Sequence, residues 1–169
     1  MTEKSPSSNH SSNIEKLKTL ASDTAFRFKV DPLLLIAIMS VESGFNPWVM
    51  RYEPKSALLV TPGKFALICS ITGGTEILSQ RVSWGLCQVL GATARDLGYK
   101  LVLSSLCDPL TNLELACQYL RRLGERYTDT YDIAAAYNAG SVRRDGNGDY
   151  INYKYTNAIA SARARHGNV

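Results

Sequence analysis

Residues 31–44 read DPLLLIAIMSVESG. Asp31 offers a capping carboxylate, and Pro32 suits the first helical position, where no N–H is needed. Apolar side chains then fill nearly every position of the following turns, which leaves no face for solvent. Such a helix belongs at the centre of a folded domain. Gly44 ends it, as glycine does where the chain leaves a helix. Glu42 therefore stands in the last turn of a buried helix. The helix dipole and burial both disfavour a carboxylate there, and both raise its pKa. A carboxyl kept protonated near neutral pH is a candidate general acid. Taken alone, the segment also admits a glutamate that faces water at the helix end.

Towards the N-terminus, Ile14, Leu17, Leu20, Ala21, Ala25 and Phe28 follow a helical rhythm and predict a helix starting near Asn13. Residues 1–12 are polar and rich in Ser, and are expected to form a disordered tail before a single domain over 13–169. Beyond Gly44, Pro47, Pro54, Pro62 and Gly73-Gly74 interrupt the chain repeatedly. Short helical pieces are expected at 64–71 and 75–81, with a short β-ribbon within 49–83. Helical patterns return at 92–97, closed by Gly98, then at 112–127 after the opening signal Asp108-Pro109, and at 131–139. The polar stretch SVRRDGNGD, 141–149, reads as a loop, and a last helix is expected from about 150 to 165. The sum is a mainly α-helical single domain.

Composition agrees. A chain of 169 residues, 45% hydrophobic and 20% charged, builds one real core and leaves little room for a second. The net charge of +4 favours encounter with anionic polymers without choosing among them. No run of apolar residues is long enough to span a bilayer, and no apolar h-region follows the N-terminus, so no secretory signal is expected. Cys69, Cys87, Cys107 and Cys117 form no CxxC pair, and His10 and His166 lie near the chain ends. Metal-ligand spacing is therefore absent, and the cysteines read as buried thiols or as one or two disulfides.

Glu42 opens the first of four groups along the chain. They are Glu42-Ser43-Gly44-Phe45-Asn46-Pro47, then Ser83-Trp84-Gly85-Leu86-Cys87-Gln88-Val89, then Asp108-Pro109 with Asn112-Leu113, then Ala136-Tyr137-Asn138-Ala139-Gly140. In this order and spacing, over roughly residues 30–140, the chain resembles the lytic transglycosylase domain of the soluble-lytic-transglycosylase type, a relative of goose-type lysozyme. The resemblance implies a lysozyme-like helical fold with a glycan cleft, and no cofactor or metal. Glu42 matches the acid/base, and Tyr137 a tyrosine close to it. Ser43, Gln88 and Asn138 match residues on the sugar side of the cleft. Ser83, Trp84 and Glu53 are further expected substrate contacts, Trp84 as a sugar-stacking platform or as plain core. The chain departs from the family at Cys87, where methionine is usual, and in the long stretch 49–81. That stretch resembles a subgroup with an RYEP-like segment, here Arg51-Tyr52-Glu53-Pro54, and a Thr-Glu pair, here Thr75-Glu76.

The resemblance implies cleavage between N-acetylmuramic acid and N-acetylglucosamine by one glutamic acid, closing an anhydro ring without water. Hydrolysis needs a second carboxylate across the cleft. Glu53 and Glu76 are the candidates, with Glu53 alternatively an ion-pair partner and Glu76 expected at the surface. A hydrolytic muramidase and a non-catalytic wall-binding or assembly module are the alternatives. A monomer acting on peptidoglycan strands is expected, and no motif points to nucleic acid. Delivery to the wall would follow a phage endolysin's release through a membrane lesion, a virion- or secretion-associated route, or loss of a periplasmic signal.

Overall fold

The computed structural model describes residues 6–167. Its centre is α2 (Pro32–Glu42), whose Leu34, Leu35, Ile36, Ala37, Ile38 and Met39 are all buried. The Asp31 carboxylate caps it by accepting from the Leu33 and Leu34 N–H groups at 2.9 and 3.3 Å, and Arg163 from the last helix holds the other oxygen at 2.5 Å. Ser43 forms the C-cap, and Gly44 then turns at φ +58°. A helix apolar all round must be covered all round. The cover comes from α1 (Pro6–Phe28) and, along the other side, α8 (Tyr153–Gly167). The remaining helices are α3 (Pro62–Cys69), α4 (Gly73–Gln80), α5 (Gly91–Asp96), α6 (Pro109–Gly124) and α7 (Thr130–Ala139), with a 3-10 turn at Leu103–Cys107.

Helix α1 begins seven residues before the Asn13 cap read from the sequence. Of the expected tail, residues 1–5 lie outside the described residues and 6–12 are helical. Pro6 occupies the first turn, where its missing N–H costs nothing. Once the packed turns around Ala21 and Ala25 nucleate the helix, extending it over weak formers such as Ser and Asn costs little per residue.

The interrupted stretch resolves into β1 (Met50–Tyr52), then α3 and α4, then β2 (Val82–Trp84), with β3 (Val89–Leu90) following a tight turn. The three strands form an antiparallel sheet in the order β1-β2-β3, pairing Arg51 with Ser83 and Ser83 with Leu90. The architecture is mainly helical with a small sheet, as the sequence implied. The four cysteines are free thiols.

Two buried polar centres hold the sheet region. Asn112, fully buried on α6, accepts from the Cys87 N–H (2.8 Å) and donates to the Trp84 and Leu106 carbonyls (2.8 and 2.9 Å). Every polar group it brings inside is thereby used. Gly85 lies against it at φ +71°, where an added Cβ would come within 2.6 Å of the Asn112 amide and 2.5 Å of the Leu106 carbonyl. The second centre corrects the surface reading of Glu76. Its side chain has no exposure and forms a two-pronged ion pair with buried Arg95, at 2.7 and 2.9 Å. Arg95 also donates to the Tyr99 and Leu101 carbonyls and stacks on Phe65. Glu76 further accepts from Gln80, whose amide binds both backbone groups of Val60. A buried charge survives when each of its sites is paired in this way.

Candidate active site

The end of α2, the sheet and the end of α7 enclose a cleft of about 730 Å³. Glu42, Glu53, Ser83, Gln88, Tyr137 and Asn138 all line it, so six of the residues read from the sequence meet in one place. Arg51, Lys55, Thr93, Tyr119 and Arg143 line it as well.

Glu42 is the last residue of α2 and is half-buried. Burial pushes its pKa above the usual carboxylate range, and the nearby charge of Glu53 adds to this; Tyr155 and Arg51 act against it. Tyr155 reaches Glu42 from α8, where Ile159 and Ala162 share its inward face at helical spacing. Its hydroxyl is buried, interacts with Glu42 more loosely than full hydrogen-bond geometry, and is committed to no other described group. Burial, followed by the Glu42 charge, pushes its own pKa well up, so it stays a neutral hydroxyl.

Glu53 follows β1. One of its oxygens accepts from Arg51 Nε at 2.6 Å and from Ser83 Oγ at 3.4 Å. The second carboxylate of the cleft is therefore an ion-paired group. Along β2, alternate side chains leave opposite faces. Ser83 faces the cleft, and Trp84 faces the core with 7% exposure, its Nε1 donating to the Ser79 carbonyl at 3.0 Å. Trp84, expected among the substrate contacts, is thus a core residue. Ser43 donates its hydroxyl back to the Met39 carbonyl at 3.2 Å and is not among the residues lining the cleft.

Gln88 sits at the turn between β2 and β3 with φ +48°. Its Nε2 donates to the Val49 and Gly85 carbonyls, each at 2.9 Å, which fixes the amide's orientation. Its Oε1 is buried and has no hydrogen-bond partner among the described residues. A buried acceptor left open on a cleft wall suits a donor on a bound ligand. The Tyr137 hydroxyl donates to the Cys87 carbonyl at 2.9 Å, clasping this turn from α7, while its ring leans on Tyr119 with centroids 5.4 Å apart. Asn138 accepts from Asn152 through Oδ1 at 3.0 Å, which turns its own amide donors away from that contact.

Sequence reading missed Tyr155 and Tyr119. Tyr155 was legible only as one of several tyrosines in the last helix. Its spacing to Ile159 and Ala162 is the signal that puts it on the α2 side. Tyr119 lies on α6, away from every quoted motif. Among the described residues no cluster of three or more His, Cys, Asp or Glu is placed to hold a metal, and no helix is long and apolar enough to cross a membrane.

The cleft thus combines one carboxyl of raised pKa, an ion-paired carboxylate and neutral amide and hydroxyl groups, a set suited to general-acid chemistry on a neutral, polar ligand. No curated protein and no solved structure matches the chain. The family model described as the Transglycosylase SLT domain matches residues 20–160, a span that holds the whole cleft lining from Glu42 to Arg143 and Tyr155 behind Glu42. The chain belongs to the transglycosylase SLT domain family.

Proposed function

We propose that this protein is a peptidoglycan lytic transglycosylase with Glu42 as its single acid and base. The observation that carries the reading is the contrast between the two cleft carboxyls. Glu42 is desolvated and forms no ion pair among the described residues, while Glu53 is tied to Arg51. Protonated Glu42 gives its proton to the oxygen between C1 of N-acetylmuramic acid and C4 of N-acetylglucosamine. The C1–O bond breaks with its electron pair leaving on that oxygen. The 2-acetamido group of the muramic sugar stabilises the oxocarbenium-like centre. Glu42, now a carboxylate, takes the proton of the muramic C6 hydroxyl, and that oxygen closes on C1. Glu42 ends protonated again, as reversible proton transfer allows.

The other groups orient the sugar. Gln88 Oε1 offers an acceptor to a substrate N–H or O–H, and Asn138 offers donors. Tyr137 holds the turn that carries Gln88. Tyr155 keeps the Glu42 carboxyl in place and tunes its proton affinity. A second reading, a hydrolytic muramidase, rests on Glu53 lining the same cleft with one oxygen not used by Arg51 or Ser83. On that reading Glu53 would hold the attacking water.

The reading is tested by incubating purified peptidoglycan with wild type and with Glu42→Gln and following release of soluble fragments. Release by wild type, lowered about 10²–10⁴-fold in the variant, supports Glu42 as the acid. Equal release by both proteins contradicts it. Tight glycan binding without release by wild type would favour a non-catalytic wall-binding module.

A further inference from the structure

Five charged side chains line the cleft: Glu42, Arg51, Glu53, Lys55 and Arg143. Two of them cancel, since Arg51 and Glu53 pair at 2.6 Å. Glu42 is the acid of the proposed reaction and works in its uncharged form. Lys55 and Arg143 remain. Lys55 stands on the segment after β1 and forms no ion pair among the described residues. Arg143 follows α7 on a separate wall, and its contact is to the Ala139 carbonyl at 3.3 Å, not to a carboxylate. Its neighbour Arg144 shows the contrast, paired with Asp132 at 2.7 Å and stacked on Tyr150. The protein thus neutralises Arg144 and Arg51 but leaves two exposed cations facing the cleft.

These cations do not serve bond cleavage itself. The reacting centre becomes positive as the glycosidic bond breaks, so nearby positive charge gives the transition state nothing. Nor do the sugar rings call for them, since these offer only hydroxyl and acetamido groups. The anions that accompany a muramic sugar are carboxylates on its lactyl arm, carried there by the stem peptide, or exposed at the arm itself once the stem is removed. We infer that Lys55 and Arg143 form a carboxylate-recognition pair on the two walls of the cleft, selecting glycan whose muramic sugars carry stem peptides with free carboxylates. The inference rests on the transglycosylase reading of this cleft. Exposed ion pairs are weak and screened by salt, so each cation supplies roughly threefold and the pair about tenfold in selectivity at low ionic strength.

The test measures kcat/KM for wild type and for the Lys55→Gln/Arg143→Gln double variant on three preparations free of teichoic acid. These are native peptidoglycan, the same material with its carboxyls blocked as amides, and strands stripped of their stems, which keep only the lactyl carboxylate. Both substitutions lie at exposed positions, so the variant is expected to fold normally, which its circular dichroism checks. The pair predicts that wild type cleaves native material about tenfold faster than blocked or stripped material, that added salt shrinks this ratio, and that the double variant loses it. Equal wild-type rates on native and blocked material, or a ratio retained by the double variant, would overturn the inference. Stripped strands cleaved as fast as native ones would overturn the assignment to the stem. Turnover of all three at similar rates leaves the transglycosylase reading standing while the inference falls. No turnover of any preparation overturns both.

Discussion

Glu42 and Tyr155 meet where α2 and α8 pack together, the tyrosine hydroxyl buried against the carboxyl and bonded to no other described group. The pair makes the proton affinity of the proposed acid adjustable by neighbours. Tyr155 lowers the Glu42 pKa and Glu53 raises it. Tyr155→Phe should therefore move the alkaline limb of the kcat/KM profile to higher pH, because the acid holds its proton longer. Glu53→Gln should move the same limb to lower pH. Limbs that stay put in both variants would separate Glu42 from the observed titration.

Stability carries the same signature. Folded Glu42 titrates above its ordinary value of 4.5 because burial disfavours the charge. Its stabilising contribution is therefore fully present below the unfolded pKa and is lost as pH rises through the raised folded pKa. Glu42→Gln, uncharged throughout, should melt above wild type at neutral pH, and the gain should vanish below the ordinary carboxylate pKa. Melting curves at several pH values check the sign, and a variant less stable than wild type at neutral pH would contradict it.

Asn112 is expected to matter to both stability and turnover. Asn112→Ala leaves the Cys87 N–H and the Trp84 and Leu106 carbonyls buried without their partner. At about 1–3 kcal/mol per orphaned group, a loss of roughly 3 kcal/mol or more is expected in denaturant titration. The turn that seats Gln88 loosens with it, so kcat should fall even at temperatures where the variant remains folded. A loss below about 1 kcal/mol would show that water replaces the amide.

Glu76→Ala removes one half of a buried pair and strands Arg95. The expected cost is about 3–5 kcal/mol, far above that of any surface glutamate. Urea unfolding of Glu76→Ala beside Glu114→Ala, whose carboxylate pairs with Arg27 at the surface, separates the two cases. Similar midpoints for both would refute the structural role of Glu76.

What could be read from the sequence was what is local. The cap at Asp31, the apolar run and Gly44 lie within 14 consecutive residues, and they place Glu42 at the end of a central helix without outside help. The short motifs around Gln88 and Tyr137 brought their residues to the cleft by resemblance. Pairing across distance was not legible. Arg95 lies 19 residues beyond Glu76, and neither residue's own surroundings announce a partner, so an acidic side chain in a short polar helix read as surface. Trp84 was open between platform and core until the register of β2 assigned its face. Tyr155 required knowing that α8 packs on α2. The early start of α1 was hidden because Ser and Asn weigh against helix unless a packed segment already nucleates it.

The central claim, cleavage by one carboxyl without water, is tested most directly by digesting purified peptidoglycan in water enriched in oxygen-18 and weighing the soluble muropeptides by mass spectrometry. The account predicts fragments with anhydro-muramic ends that carry no label, absent when Glu42→Gln replaces wild type. Reducing ends that have taken up oxygen-18 would contradict it and assign the reaction to hydrolysis.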